Sequence, residues 1–280
     1  MHEPADSSTW RAPCFPDMHD PAPETLKNHG IRPDYRPRTE AATFSEDPAA
    51  YWTEKRIARA ALYQRPVYRE AARLLATLPS RRVLDVGAGY PIKVREELLP
   101  LAHSIQIIDQ PCLAPLMRER FPDLPFLGMD LEAPEATPVA DFDLIVCADV
   151  VEHLLDPDPL VAFLRGSLAS KGMLVLSTPE RDIERGRGCL ESPQAEHVRE
   201  WNRAELHRWL SHHGFKVLRQ VLLPKKRVTG LKQAALPLLR VLRPKRYASC
   251  QMVVCMRDEP DGKEDPCHKR TGTRSRCASH

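Results

Sequence analysis

The 280-residue chain has no apolar run long enough to cross a bilayer, and its first thirty residues lack the hydrophobic stretch of a secretory signal. With neither route to the membrane or the exterior, a cytoplasmic protein is expected. The eight cysteines follow no ladder of paired spacings, which excludes the small disulfide-stapled scaffolds, and in a reducing compartment they are thiols. The string Cys267-His268, Cys277 and His280 lacks the paired short spacing and the apolar residues of a zinc module, so no metal is assigned to it. Internal repeats are absent. Acid is absent from residues 225–246, which hold eight Lys or Arg although the whole chain carries a net charge of only +3.

Apolar residues supply 42% of the chain, enough for one core of ordinary domain size with length left for tails. Eight of the 27 prolines fall in the first fifty residues, with little apolar periodicity between them. Residues 1–48 therefore read as an irregular Pro-rich segment, 49–257 as the folded domain and 258–280 as a loose polar tail. Within the domain, 51–78 has helical periodicity interrupted at Pro66. Strand patterns at 82–86, 104–108, 125–129, 142–147 and 172–177 then alternate with helical ones at 91–99, 113–121 and 159–169. A helix at 203–213 precedes strands at 216–222 and 248–256, with the basic insertion 223–247 between them. Such alternation implies an α/β fold, a doubly wound, mostly parallel sheet covered on both faces. The last two strands lack a helical crossover of the usual kind, which is compatible with an antiparallel final strand. Ligands of such sheets lie beyond the carboxyl ends of the strands, where strand order reverses.

The first strand runs into Asp85-Val86-Gly87-Ala88-Gly89-Tyr90-Pro91. Glycines at 87 and 89 permit a tight turn and close approach of a ligand to the backbone, and Pro91 suits a helix start. A dinucleotide binder would carry glycine again where Ile92 stands, and its pyrophosphate would be repelled by Asp85. S-adenosylmethionine, with a sulfonium and an ammonium, is instead favoured by an acid there. Asp109 ends the second strand, placed to accept from both ribose hydroxyls. Asp130 ends the third, placed to accept from the adenine amino group while Leu131 covers the ring.

Asp85-Val-Gly-Ala-Gly89, Asp109, Asp130-Leu-Glu132 and the run from Phe142-Asp143 to Glu152-His153 resemble the successive motifs of class I methyltransferases over roughly residues 80–222. The resemblance implies a Rossmann-like seven-stranded sheet with the last strand antiparallel and S-adenosylmethionine as cofactor. It implies cofactor contacts at Asp85, Gly87, Ala88, Gly89, Asp109, Gln110, Asp130, Leu131 and Ala148, the last through its backbone. Pro91 replaces the family's frequent third glycine. A nicotinamide-dependent reductase and a non-catalytic cofactor-binding module are the rival readings; Ile92 and Asp85 speak against the first, and intact Gly87, Gly89 and Asp109 against the second.

Methyl transfer is an in-line displacement, so the protein mainly aligns donor and acceptor and adds a base where the acceptor carries a proton. His153 is the candidate base, with Glu152 orienting it or contacting the acceptor. Packing of the loop is the alternative role for both. The Asn/Asp-Pro-Pro-Tyr run of enzymes that methylate base or amide nitrogens is absent here, as is the Pro-Cys of cytosine-carbon methylation. His197-Val-Arg-Glu-Trp201 resembles the segment that borders the acceptor cavity in ubiquinone-type and glycan-modifying methyltransferases, which adds His197 to the candidates. These features point to O-methylation of a small molecule or glycan. Asp149, Glu152, His153 and His197 also resemble a cluster that holds magnesium in some relatives; Glu-His is common in metal-free ones, so no metal dependence is expected. Asn202, followed by Glu205, is a capping box for the next helix.

Residues 225–246 interleave leucines with cations, and a short amphipathic helix broken near Pro237 is expected. A solvated cationic face, an anionic acceptor and peripheral contact with an anionic membrane all fit this pattern. Nucleic acid fits poorly, because no aromatics are interleaved to stack on bases.

Overall fold

The computed structural model describes residues 28–40, 52–135 and 141–258. Val83, Leu84 and Val86 of β1 (Arg82–Val86) are fully buried, as a strand covered on both faces requires. β1 pairs in parallel with β2 (Ser104–Asp109) on one side and β4 (Phe142–Ala148) on the other. Outside these lie β3 (Phe126–Gly128), parallel to β2, and β5 (Leu168–Pro179), parallel to β4. β7 (Cys250–Arg257) runs antiparallel between β5 and β6 (Phe215–Leu223). The seven-stranded order is thus β3-β2-β1-β4-β5-β7-β6, and strand order reverses between β1 and β4. The expected doubly wound sheet with an antiparallel last strand is the one found.

Alternation along the strands divides the core in two. Leu84, Val86, Ile145 and Cys147 face one layer with Trp201 and Trp209, while Val83, Leu144 and Val146 face the other with Tyr68 and Leu75. The expected first helix is two helices, Glu54–Ala60 and Arg65–Leu75, with Pro66 in the first turn of the second, where its missing N–H costs nothing. Over 91–99 the chain forms a π-helical turn, Val94–Leu98, in which the Leu99 N–H reaches the Val94 carbonyl at 2.9 Å. Asn202 and Glu205 close the expected capping box on the helix Arg203–His212.

Residues 28–40, part of the Pro-rich stretch, have no helix or strand, yet they are packed. Ile31 and Tyr35 are buried, the Tyr35 hydroxyl accepts the Glu200 N–H at 3.1 Å, and the Trp201 indole donates to the His29 carbonyl at 2.8 Å. The tail beyond 258 and its Cys/His string lie outside the described residues. The basic stretch forms three short helices, Leu231–Ala234, Leu236–Leu242 and Pro244–Tyr247, with Pro237 just inside the second. Among the described residues no helix is long and apolar enough to cross a membrane.

Candidate cofactor and active site

A cavity of about 490 Å³ opens beyond the carboxyl ends of β1, β2 and β4, within the range of small-molecule sites. Its floor is the turn after β1. Gly87 has φ +75°, and a Cβ there would stand 2.4 Å from Val150 Cγ2. Gly89 has φ +58°, and a Cβ there would press on the Trp52 indole at 3.1 Å. Both positions thus need glycine for conformation and for space. Asp109 lines the cavity, its Oδ2 accepting the Gly89 N–H and its Oδ1 the Gln110 N–H, each at 2.7 Å. A carboxylate offers about four acceptor sites, so two backbone bonds leave it able to accept from a diol. Burial raises the Asp109 carboxyl against these two bonds. Ala88, Gln110, Leu131 and Ala148 line the same cavity, so seven of the nine residues expected to hold cofactor meet there: these four, the two glycines and Asp109.

The other two are placed elsewhere. Asp85 is fully buried and does not line the cavity; neither of its carboxylate oxygens has a hydrogen-bond partner among the described residues, and Tyr68 and Lys93 are the neighbouring groups that favour its charge. Burial raises its carboxyl, opposed by Tyr68 and Lys93, and burial likewise lowers the Lys93 amine. Asp130 is exposed, and its Oδ1 accepts the Glu132 N–H at 3.0 Å in a local turn. The Ala148 carbonyl accepts from the Gln64 amide at 3.2 Å, while Lys93 donates to the Gln64 Oε1 at 3.1 Å.

Trp52, Arg59, Tyr63, Gln64 and Lys93 line the cavity although no sequence pattern had selected them. Helical periodicity reports which residues of 52–64 face the core, not that the segment folds over a glycine turn. Gln64 reaches the site from a left-handed residue, φ +56°, between two helices. The cations in this wall suit the carboxylate of an amino-acid moiety.

On the acceptor side, Asp149 has φ +53° and accepts from the Ser177 hydroxyl at 2.8 Å. The short 3-10 turn Val151–His153 follows. His153 lines the cavity and its Nδ1–H donates to the Glu196 carbonyl at 2.7 Å. Burial, then the neighbouring His197, lowers the His153 imidazole below its ordinary value. The His197 ring stands edge-on to it at 4.9 Å, with its own Nδ1–H donating to Glu200 Oε1 at 2.6 Å. Burial works against the Glu200 charge, but bonds from His197 and Arg185 outweigh it and hold the carboxyl at about 2. Glu152 is fully buried; the Thr178 hydroxyl donates to its Oε2 at 3.0 Å, and Oε1 has no hydrogen-bond partner among the described residues. Burial and then Asp149 push the Glu152 carboxyl well up. Only His153 of the three candidates lines the cavity, but ligand atoms of Glu152, His153 and His197 lie within 4.8 Å of one another.

The bare glycine turn, the carboxylate at the end of β2 and the apolar lid Leu131 fit S-adenosylmethionine. The sheet order and this site define a class I S-adenosylmethionine-dependent methyltransferase. The chain belongs to the methyltransferase domain family, whose pattern it matches over residues 57–220, more than half its length. No curated protein sequence matches it. Among solved structures it is similar to a chain from the complex of the Haloferax volcanii Trm112 methyltransferase activator with a methyltransferase: TM-score 0.56, 15% identity, 78% of this chain and 100% of that one. It is also similar to the S-adenosylmethionine-dependent methyltransferase of Mesorhizobium loti, with TM-score 0.52, 19% identity, 68% of this chain and 98% of that one. The cyclase SpnF gives TM-score 0.53 at 14% identity over 79% and 99% of the two chains. A cyclase among these neighbours means that the likeness establishes the fold and leaves the acceptor to the site.

Proposed function

We propose that this enzyme methylates a hydroxyl oxygen of a small molecule or glycan, with His153 as the base. The observation that carries the reading is the Nδ1–H bond of His153 to the Glu196 carbonyl at the cavity wall. That bond fixes the proton on Nδ1 and leaves Nε2 as the basic nitrogen. S-adenosylmethionine, which Gly87, Gly89, Asp109 and Leu131 would hold, would supply an electrophilic methyl group to the acceptor oxygen and leave as S-adenosylhomocysteine. His153 Nε2 would take the hydroxyl proton, and Trp52 and Leu131 give the cavity an apolar wall. Burial, then the neighbouring His197, favours the neutral, basic form of His153. Activity should fall on the acid side, through an apparent pKa below the ordinary imidazole value. His153→Gln should lower kcat by about 10²–10⁴-fold and remove that acid limb, with S-adenosylhomocysteine affinity unchanged. Labelled-methyl transfer to a panel of hydroxylated acceptors, followed against pH, reads both; an unchanged pH profile in the variant would refute the assignment.

One observation favours a second reading, in which Glu152, His153 and His197 hold a divalent metal that acidifies the acceptor hydroxyl. Both imidazoles have Nδ1 tied to a carbonyl or carboxylate, as metal-bound histidines do. Activity lost on chelation and restored by magnesium would favour this over the metal-free reading.

A further inference from the structure

A second cavity, of about 740 Å³, lies in the stretch between β6 and β7. Lys225, Lys226, Arg227, Lys232 and Arg246 line it, and no acid does. Among the described residues only Lys225 of these has an ion-pair partner, Glu184 at 2.8 Å; Lys226 stands over the Tyr63 ring at 5.1 Å, and Arg227 and Lys232 are exposed. Tyr63 lines this cavity and the cofactor cavity alike, so the two share a wall.

Beside it the helix Leu236–Leu242 has no buried residue. Leu238, Val241 and Leu242 are 61%, 78% and 65% exposed, half of the six exposed large apolar side chains among the described residues. Their spacing of three and four places them on one face. Single exposed leucines are ordinary; three on one face of one short helix, flanked by Arg240 and Arg243, are not. The helix is far too short to span a bilayer, and an apolar edge rimmed by cations is the pattern of a surface lying in an anionic interface.

We propose that this face docks the enzyme on an anionic membrane, with lipid phosphate in the basic cavity and Leu238, Val241 and Leu242 entering the headgroup–acyl boundary. Charge complementarity selects this occupant: every charged residue of the lining is a cation, and phosphate would satisfy those that have no carboxylate partner among the described residues. The inference goes beyond the methyl-transfer reading and does not depend on it.

The test is co-sedimentation of the full chain with vesicles of phosphatidylcholine alone or of phosphatidylcholine and phosphatidylglycerol in equal parts, at low and high salt. Binding to the mixed vesicles only, weakened by salt, is expected. Each basic residue near such a surface strengthens binding roughly fivefold, so changing Lys226, Arg227 and Lys232 together to Gln should weaken it by about a hundredfold. Changing Leu238, Val241 and Leu242 to Ser should also weaken it while leaving its salt dependence. Calorimetry with S-adenosylhomocysteine should give wild-type affinity in both variants, which shows the fold intact and keeps this result separate from the methyl-transfer reading. Absent binding, or equal binding to neutral and mixed vesicles, would overturn the proposal. So would saturable binding of inorganic pyrophosphate without vesicle binding, which would assign the cavity to a soluble anion.

Discussion

Asp109 does two jobs with one carboxylate. It fixes the glycine turn through the Gly89 N–H and, at the end of β2, is the residue proposed to accept from the ribose. Asp109→Ala removes charged hydrogen bonds worth about 1.5–3 kcal/mol, so S-adenosylhomocysteine should bind at least about tenfold more weakly by calorimetry. Unchanged affinity would take Asp109 out of the site. The acids at 85 and 130 were as visible in the sequence as Asp109, and their placement differs for a geometric reason. A strand-end position says how far along the sheet a residue lies, not which way its side chain turns. Asp85 lies within β1 and turns toward Tyr68 of the helix Arg65–Leu75, while Asp130 is one residue past the buried Met129 and closes its own turn.

Among the elements, those with a local cause were legible and those with a distant one were not. Strand alternation, the break at Pro66 and the Asn202–Glu205 box follow from spacing within a few residues, and the structure has each of them. Residues 28–40 show no period because their order comes from partners far along the chain. Among these contacts, His29 Nδ1 donates to Asp158 Oδ1 at 2.9 Å, and Trp209 Nε1 donates to the same oxygen at 2.8 Å. His213 Nε2 lies 3.2 Å from that oxygen. Asp158 therefore ties the N-terminal stretch to the start of one helix and the end of another. Burial opposes its charge, but the bonds from His213, His29 and Trp209 outweigh burial and hold its carboxyl far below the ordinary range. Burial would lower His213, but the same pairing with Asp158 raises it. A lowered carboxyl contributes stability above its unfolded pKa of about 3.8–3.9, lost as pH falls through the folded value. A raised imidazole contributes fully below about 6.5 and loses its share as pH rises through its folded pKa. Asp158→Asn should therefore destabilise most between about pH 4 and 6.5, and less above the folded His213 value. Urea unfolding across that range measures this; a pH-independent difference would show that the pairing does not couple to folding.

At the scale of the molecule, most of the cavity beyond the strand ends was legible because sequence spacing locates those ends, whereas the acceptor side is assembled from segments far apart. The cavity walls come from 52–64, 87–93, 109–113, 131, 148–154 and 194–196. No short piece of the chain contains enough of that surface to bind, so a ligand seated there binds the folded state alone. Its binding energy then appears as folding stability. At a concentration about a hundredfold above Kd, S-adenosylhomocysteine should add about 2.7 kcal/mol. For a domain of this size that corresponds to a rise in Tm of roughly 5–10 °C. NAD should give no rise, because Ile92 replaces the glycine that would let a pyrophosphate approach and the buried Asp85 lies behind the turn. Asp109→Ala should shrink the shift at the same ligand concentration, since its weaker affinity lowers the ratio of ligand to Kd. A thermal shift with NAD and none with S-adenosylhomocysteine would reverse the reading of the turn after β1.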